Sequence, residues 1–259
     1  MIVDKLKDFF TAKQRKKIKR LITNLKTFGY GNNLNKLATI YGTDKWGGHF
    51  YTQHYKTHFR PFKNRKIKLL EIGVGGYKSP IKGGESLYMW KRYFPFARIY
   101  ALDIINKSFL EERRIKIFQG SQVDKEFLLN KVIKETGELD LIIDDGSHIN
   151  EHVIETFNIL FPLLKEGGIY VVEDTQTSYW PRFGGDSNDL LNASTTMNFF
   201  KNLADCLNHV DVIRENYTPT YLDQHIISLH FYHNMIFIYK GKNDERATIT
   251  DDCVRIGKQ

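Results

Sequence analysis

Between residues 66 and 175 the chain alternates two kinds of apolar segment. Short runs rich in β-branched residues, "KIKLLEIGV" (66–74), "ARIYALDI" (97–104), "RIKIFQG" (114–120), "LDLIIDDG" (139–146) and "GGIYVVEDT" (167–175), each close on polar or glycine residues. That is the pattern of strands buried on both faces. Between them, "SLYMWKRYF" (86–94), "KEFLLNKVIKE" (125–135) and "NEHVIETFNILFPLLKE" (150–166) space their apolar residues three and four apart, as a helix with one buried stripe does. Right-handed helical crossovers return each strand parallel to the last, so this alternation predicts an α/β fold with a doubly wound, Rossmann-like sheet. Ligands of such a sheet sit beyond the carboxyl ends of its strands. Near the C-terminus "HIISLHFYHNMIFIYKG" (225–241) holds two apolar runs around His233-Asn234 and predicts an antiparallel hairpin at the sheet edge.

Composition narrows the class. At 259 residues and 41% hydrophobic, the chain can build one large core. No apolar run approaches the roughly 20 residues that span a bilayer, and the N-terminus lacks the small-residue cleavage site of a signal peptide, so a soluble cytoplasmic protein is expected. Cys206 and Cys253 have no CxxC partner, which argues against a zinc site or a disulfide framework. Charge is concentrated at the start: residues 1–30 hold nine Lys/Arg against Asp4 and Asp8, or +7 of the net +8. Leu6, Phe9, Phe10, Ile18, Leu21, Ile22 and Leu25 recur there at helical spacing. The chain therefore divides into a basic amphipathic arm (1–35) and a main domain (36–259). Such an arm can dock on the domain or on a second subunit as a homo-oligomer. It can also draw the chain to an anionic glycan or to the inner membrane face. Nucleic acid is not an expected partner, because no reading module accompanies the arm.

The polar residues at the strand ends carry the chemistry. Glu71, Gly73, Gly75 and Gly76 follow the first strand, a turn that lets a ligand approach the backbone closely. The dinucleotide pattern fails at Lys78, where a third glycine is required, which disfavours a nicotinamide cofactor. Asp103 ends the second strand, where a carboxylate can accept both hydroxyls of a ribose. Gly120, Ser121 and Gln122 end the third, polar groups suited to an adenine edge. An adenosine-containing ligand without a phosphate cradle fits this series.

These motifs, with "YGTDKWGGHFYTQHY" (41–55), "IIDDGSH" and "VVEDTQTSY" (171–179), resemble class I S-adenosylmethionine-dependent methyltransferases. More narrowly, the chain is similar to the metal-dependent sugar O-methyltransferases of macrolide tailoring over roughly residues 36–240. The resemblance implies that Glu71, Gly73 and Gly75 hold the methionine end of the cofactor, that Asp103 holds the ribose and that Gly120, Ser121 and Gln122 hold the base. Thr43 and Lys45 are expected to reach cofactor or acceptor. Asp144 is assigned to the cofactor side of the cleft or to turn geometry. Family members can carry a larger N-terminal domain than this short basic segment, so the acceptor's identity does not transfer.

Strands four and five are expected to be neighbours, which brings Asp145, Glu173 and Asp174 together. Three carboxylates without a cysteine select a hard divalent cation such as Mg2+, and the resemblance implies the same trio. A sugar hydroxyl is a weak acid, and coordination stabilises the alkoxide that develops during attack. His148, three residues beyond Asp145, has the pKa range of a general base, and the resemblance gives the matching histidine that role. His49, His54 and His58 read as one partly buried helix forming a cleft wall rather than as a metal cluster. Tyr179 and Trp180 fall in an aromatic loop, "SYWPRFGG" (178–185), and are expected either to stack on a sugar ring or to pack under that loop. The expectation is O-methylation of a sugar hydroxyl, with uronic acids of a polysaccharide or glycan precursor ranked above neutral macrolide sugars because of the basic arm. Two other readings remain: methylation of a catechol-like small molecule, and a cofactor-binding scaffold in polysaccharide assembly that has lost catalysis.

Overall fold

The computed structural model describes residues 11–76, 79 and 82–247; Lys78 and Cys253 lie outside them. Seven strands form one sheet: β1 (Lys68–Ile72), β2 (Arg98–Asp103), β3 (Ile115–Gln119), β4 (Leu139–Asp144), β5 (Leu164–Glu173), β6 (Ile226–Tyr232) and β7 (Met235–Lys240). Their order is β3-β2-β1-β4-β5-β7-β6. The first five are mutually parallel. The hairpin then adds two antiparallel strands, with β7 against β5. The chain turns between them at Asn234, whose φ of 60° is the left-handed value such a turn needs. The order reverses at β1, between β2 and β4, and this reversal opens the crevice that ligands of such sheets use.

Strand alternation sorts the residues into two cores. Leu69, Ile99, Ala101, Leu141, Ile143, Ile169, Val171 and Phe237 face one side. There they meet α2 (Leu34–Tyr41), α3 (Thr52–Phe59) and α4 (Glu85–Tyr93), through residues such as Leu37, Tyr55, Phe59 and Trp90; the helix before them, α1 (Ala12–Lys26), adds no described residue to this core. Leu70, Leu102, Ile142, Tyr170, Val172 and Ile236 face the other side. They pack on α5 (residues 125–136), α6 (Asn150–Leu160) and α7 (Thr196–Asn202), and α8 is the short Tyr221–His225. Because side chains alternate with period two, Asp103, Asp145 and Glu173 continue the first series and Asp144 the second.

Two predicted elements differ in detail. The helix expected over 150–166 ends at Leu160; a 3-10 turn, Phe161–Leu163, carries Pro162, and β5 starts at Leu164. Proline lacks the N–H that a continuing helix would need. The boundary expected at 35/36 falls inside α2, whose Leu34 and Leu37 are core residues; the capping side chain of Asn33, which accepts from Lys36 N, marks where that helix begins. Helix α1 opens with a capping box between Thr11 and Gln14. It is held to the body by Arg20, which donates to the Tyr88 hydroxyl at 2.9 Å and pairs with Glu112 at 2.6 Å. No described helix is long and apolar enough to cross a membrane.

Candidate active site

The carboxyl ends of β1, β2 and β4 enclose a cleft of about 550 Å3, lined by Thr43, Lys45, Gly73, Val74, Gly75, Gly76, Ser86, Asp103, Asp145, His148 and Asp174 among others. A smaller cavity of about 260 Å3 continues it toward Gly120, Ser121 and Gln122. The two share Gly73, Asp103, Ile104 and Gly146. Together they form a trough of the size that holds a small cofactor.

Gly73 is required at its centre. Its φ is 91°, and a Cβ there would stand 2.0 Å from the carbonyl oxygen of Asp145. The Asp103 carboxylate accepts from Val74 N at 3.0 Å and from Ile105 N at 2.8 Å, stapling the glycine turn to the end of β2. Each carboxylate oxygen has a second lone pair free to accept, so these bonds leave capacity for ribose hydroxyls. Glu71 is fully buried and accepts from the Ser86 hydroxyl at 3.0 Å. Burial, partly offset by Lys45, pushes its carboxyl up to about 7. It therefore underlies the cleft and acts on it through Ser86 and Lys45.

Lys45, 1% exposed, is the hub of the acidic end. Its ammonium lies 2.7 Å from Asp145 Oδ2, 2.7 and 2.8 Å from the two Glu173 oxygens, and 3.3 Å from Glu71 Oε1. Burial alone would lower its pKa, but the three carboxylates more than compensate and hold it well above the usual lysine value. Tyr55 donates its hydroxyl to Glu173 Oε1 in a short hydrogen bond. Tyr51 donates to Asp174 Oδ1 at 2.6 Å. Both tyrosines come from the N-terminal half of α3 and its entry, four residues apart, so one helix face delivers both hydroxyls. The spacing in "YTQHY" was the available sequence signal for them.

Within the described residues, one group brings metal-ligating atoms to within 4.8 Å of one another: Asp145, His148 and Asp174. His148 Nε2 stands 3.9 Å from Asp145 Oδ1 and 3.7 Å from Asp174 Oδ2. His148 and Asp174 both adopt left-handed backbone, with φ of 57° and 55°, an uncommon conformation for non-glycine residues that is concentrated at functional sites. Burial would raise Asp174, yet the Tyr51 hydroxyl, His148 and His49 hold it below the usual aspartate value. Two carboxylates without sulfur fit a hard divalent cation, whereas imidazole is the donor of softer metals. Glu173, expected in the ligand set, is at 3% exposure and is turned to Lys45 and Tyr55 instead.

Of the two roles expected for Asp144, turn geometry is the one its surroundings fit. Its carboxylate lies on the opposite sheet face at 1% exposure and does not line the trough. It accepts from Gln122 Nε2 at 3.2 Å and from the Tyr170 hydroxyl at 3.4 Å, and burial pushes it up to about 7. Gln122 in turn accepts from Ser147 N at 2.8 Å, so this pair shapes the turn after β4, and its members support the trough from beneath. The histidines of the α3 region form no metal group. His58 is hydrogen-bonded to Tyr239 at 2.7 Å and Tyr232 at 2.9 Å, His54 stacks on Tyr232, and His49 stacks on Tyr51. Tyr179 and Trp180 sit on a surface turn after Asp174, 37% and 49% exposed, and neither lines the trough. Asn150 was not anticipated. Its amide donates to Thr177 O and Phe183 O and accepts from Thr196 N, clamping the loop that carries both aromatics.

No protein-family model matches the chain. Among known proteins it is 46% identical over 215 residues to the mycinamicin VI 2''-O-methyltransferase of Micromonospora griseorubida, covering 82% of this chain and 54% of that protein. Identity and coverage are the same with the demethylmacrocin O-methyltransferase of Streptomyces fradiae. The MycE methyltransferase of the mycinamycin biosynthetic pathway, solved with Mg, SAH and mycinamycin VI, superposes with a TM-score of 0.81 at 44% identity, over 87% of this chain and 59% of that one. The chain spans about half the length of these relatives.

Proposed function

From homology to the mycinamicin and macrocin type of class I methyltransferases, we propose that this chain is an S-adenosylmethionine-dependent O-methyltransferase that acts on a sugar hydroxyl with a hard divalent cation, Mg2+ in the first instance. The observation that carries the reading is the convergence of Asp145, His148 and Asp174 at the mouth of the Gly73–Asp103 cleft. When bound, the cofactor would supply the methyl group and the cation would make the acceptor hydroxyl more acidic.

The chain's own residues divide the remaining work. Gly73, Gly75 and the stapled Asp103 hold the cofactor's methionine and ribose portions, and Gly120, Ser121 and the Gln122 turn bound the adenine end. Asp145 and Asp174 hold the cation, and Glu173 holds Lys45 against both the metal end and Glu71. His148, between the two aspartates, accepts the acceptor's proton. Fixing donor and acceptor in one trough supplies the alignment that methyl transfer needs. Tyr179 and Trp180, on the loop clamped by Asn150, stand outside the trough and would meet only the part of the acceptor that projects beyond it. The cleft mouth is itself acidic, so the anionic charge of a uronic acid or glycan precursor must lie outside it; the case for such an acceptor rests on the basic arm.

The test is methyl transfer from labelled cofactor to a panel of neutral sugars, uronic acids and catechols, with and without exhaustive chelation. Chelator-sensitive transfer to a sugar, abolished in Asp145→Asn with cofactor binding retained by calorimetry, is the expected result. Full activity after chelation, or a catechol as the sole acceptor, overturns the proposal.

A further inference from the structure

Helix α1 presents an apolar stripe that no core cluster of the described residues includes. Ile18, Leu21, Ile22 and Leu25 recur at the i, i+3, i+4 and i+7 positions of one helix face and are 40%, 62%, 48% and 68% exposed. Phe28, just beyond the helix, is 82% exposed. The contacts that hold α1 to the body come instead from polar side chains: Arg20 to Tyr88 and Glu112, Asn24 to the Tyr41 hydroxyl, and Thr27 O to the Arg92 guanidinium. The helix is thus pinned at its polar edge with its apolar stripe outward. A contiguous outward stripe of this kind marks an interaction surface.

The charge on the same element identifies what covers it. Seven Lys/Arg fall between Ala12 and Lys26, with no Asp or Glu anywhere in residues 11–30. Two copies of such a helix packed stripe to stripe would bring fourteen cationic residues together with no acidic partner on either helix, so self-association is disfavoured. A basic helix with a narrow apolar face instead suits an anionic lipid surface, where the apolar side chains enter the headgroup boundary and the cations meet the phosphates. A polyanion such as nucleic acid or soluble glycan would satisfy the charge and leave the leucines in water. We infer that α1 is a peripheral docking helix for anionic bilayers, separate from the catalytic trough and independent of the reaction proposed for it.

The experiment is flotation of the full chain with vesicles of phosphatidylcholine alone or mixed with phosphatidylglycerol, at low and high salt, beside analytical ultracentrifugation without lipid. Expected is co-flotation with the mixed vesicles at low salt, at least tenfold reduced by high salt or by omitting the anionic lipid. Leu21→Glu with Leu25→Glu should cut it at least tenfold while circular dichroism and melting stay unchanged, since both side chains are solvent-exposed. Equal partition to neutral and anionic vesicles, or no partition to either, overturns the inference. So does a wild-type dimer that the double variant dissociates, which would show a second copy on the stripe.

Discussion

His58 offers a quantitative check on how α3 is anchored, and thereby on how Tyr51 and Tyr55 reach their carboxylates. It is 5% exposed, stacked on Phe237 at 4.1 Å, and hydrogen-bonded through both ring nitrogens to Tyr232 and Tyr239. Burial first, then the neighbouring His230 and His54, pushes its pKa down to about 4 from an ordinary 6.5. A histidine depressed in this way binds fewer protons folded than unfolded, so its contribution is intact above pH 6.5 and is lost as pH falls from 6.5 toward 4. At pH 4.5 the free imidazole is almost wholly protonated while the folded one is mostly neutral, a difference of about 2.5 kcal/mol against neutral pH. His58→Gln keeps one donor and one acceptor for the two tyrosines and removes the titration. Urea unfolding of both proteins at pH 7.5 and 4.5 isolates the effect, because every other side chain is common to both. The stability difference between wild type and variant should move by about 2.5 kcal/mol between the two pH values, in the variant's favour at acid pH. A difference that is the same at both would falsify the buried, neutral imidazole and with it the anchoring argument.

Three further outcomes test the site. His148→Ala should lower methyl transfer by roughly two to four orders of magnitude with metal and cofactor binding retained in calorimetry; near-normal turnover would mean that the proton leaves by another route. Lys45→Met strands the buried Glu173 and Glu71, which should cost roughly 3–5 kcal/mol and lower the melting temperature by about 10 °C in scanning fluorimetry; an unchanged melting point would show that those carboxyls do not depend on its ammonium. Gly73→Ala should reduce cofactor affinity at least tenfold, because the added methyl meets the Asp145 carbonyl at a backbone angle that alanine resists; wild-type affinity would place the cofactor elsewhere.

The five parallel strands and the hairpin were legible because buried strands are short, continuous apolar runs whose ends are polar. Asp103, Asp145 and Asp174 were legible for the same reason: they stand where those runs stop. Asp144 shows what adjacency hides. It reads as half of a pair with Asp145, yet counting in twos from Ile142 already places it with Tyr170 on the far face. The engagement of Glu173 is different in kind. Its partners Lys45 and Tyr55 lie 128 and 118 residues away, and no local pattern encodes a contact of that span. Tyr51 and Tyr55 stood at helical spacing in plain view, but two tyrosines on one helix face ordinarily mean packing, and only the carboxylates above them give the hydroxyls a task.

The placement of β7 beside β5 bears on how the protein is made. Met235 pairs with Glu173, and Asn234 O accepts from Thr175 N, so the hairpin turn braces the segment that bears Asp174. Lys45, Tyr51 and Tyr55 come from the first quarter of the chain, and this brace comes from its last tenth. On a ribosome that releases the N-terminal part first, the acidic residues therefore emerge and wait, unbraced on one side, until the final strands arrive. Premature termination after β5 but before residue 235 leaves β5 with an open edge and the site unfinished, so such truncated products are expected to be inactive and prone to pair through that edge.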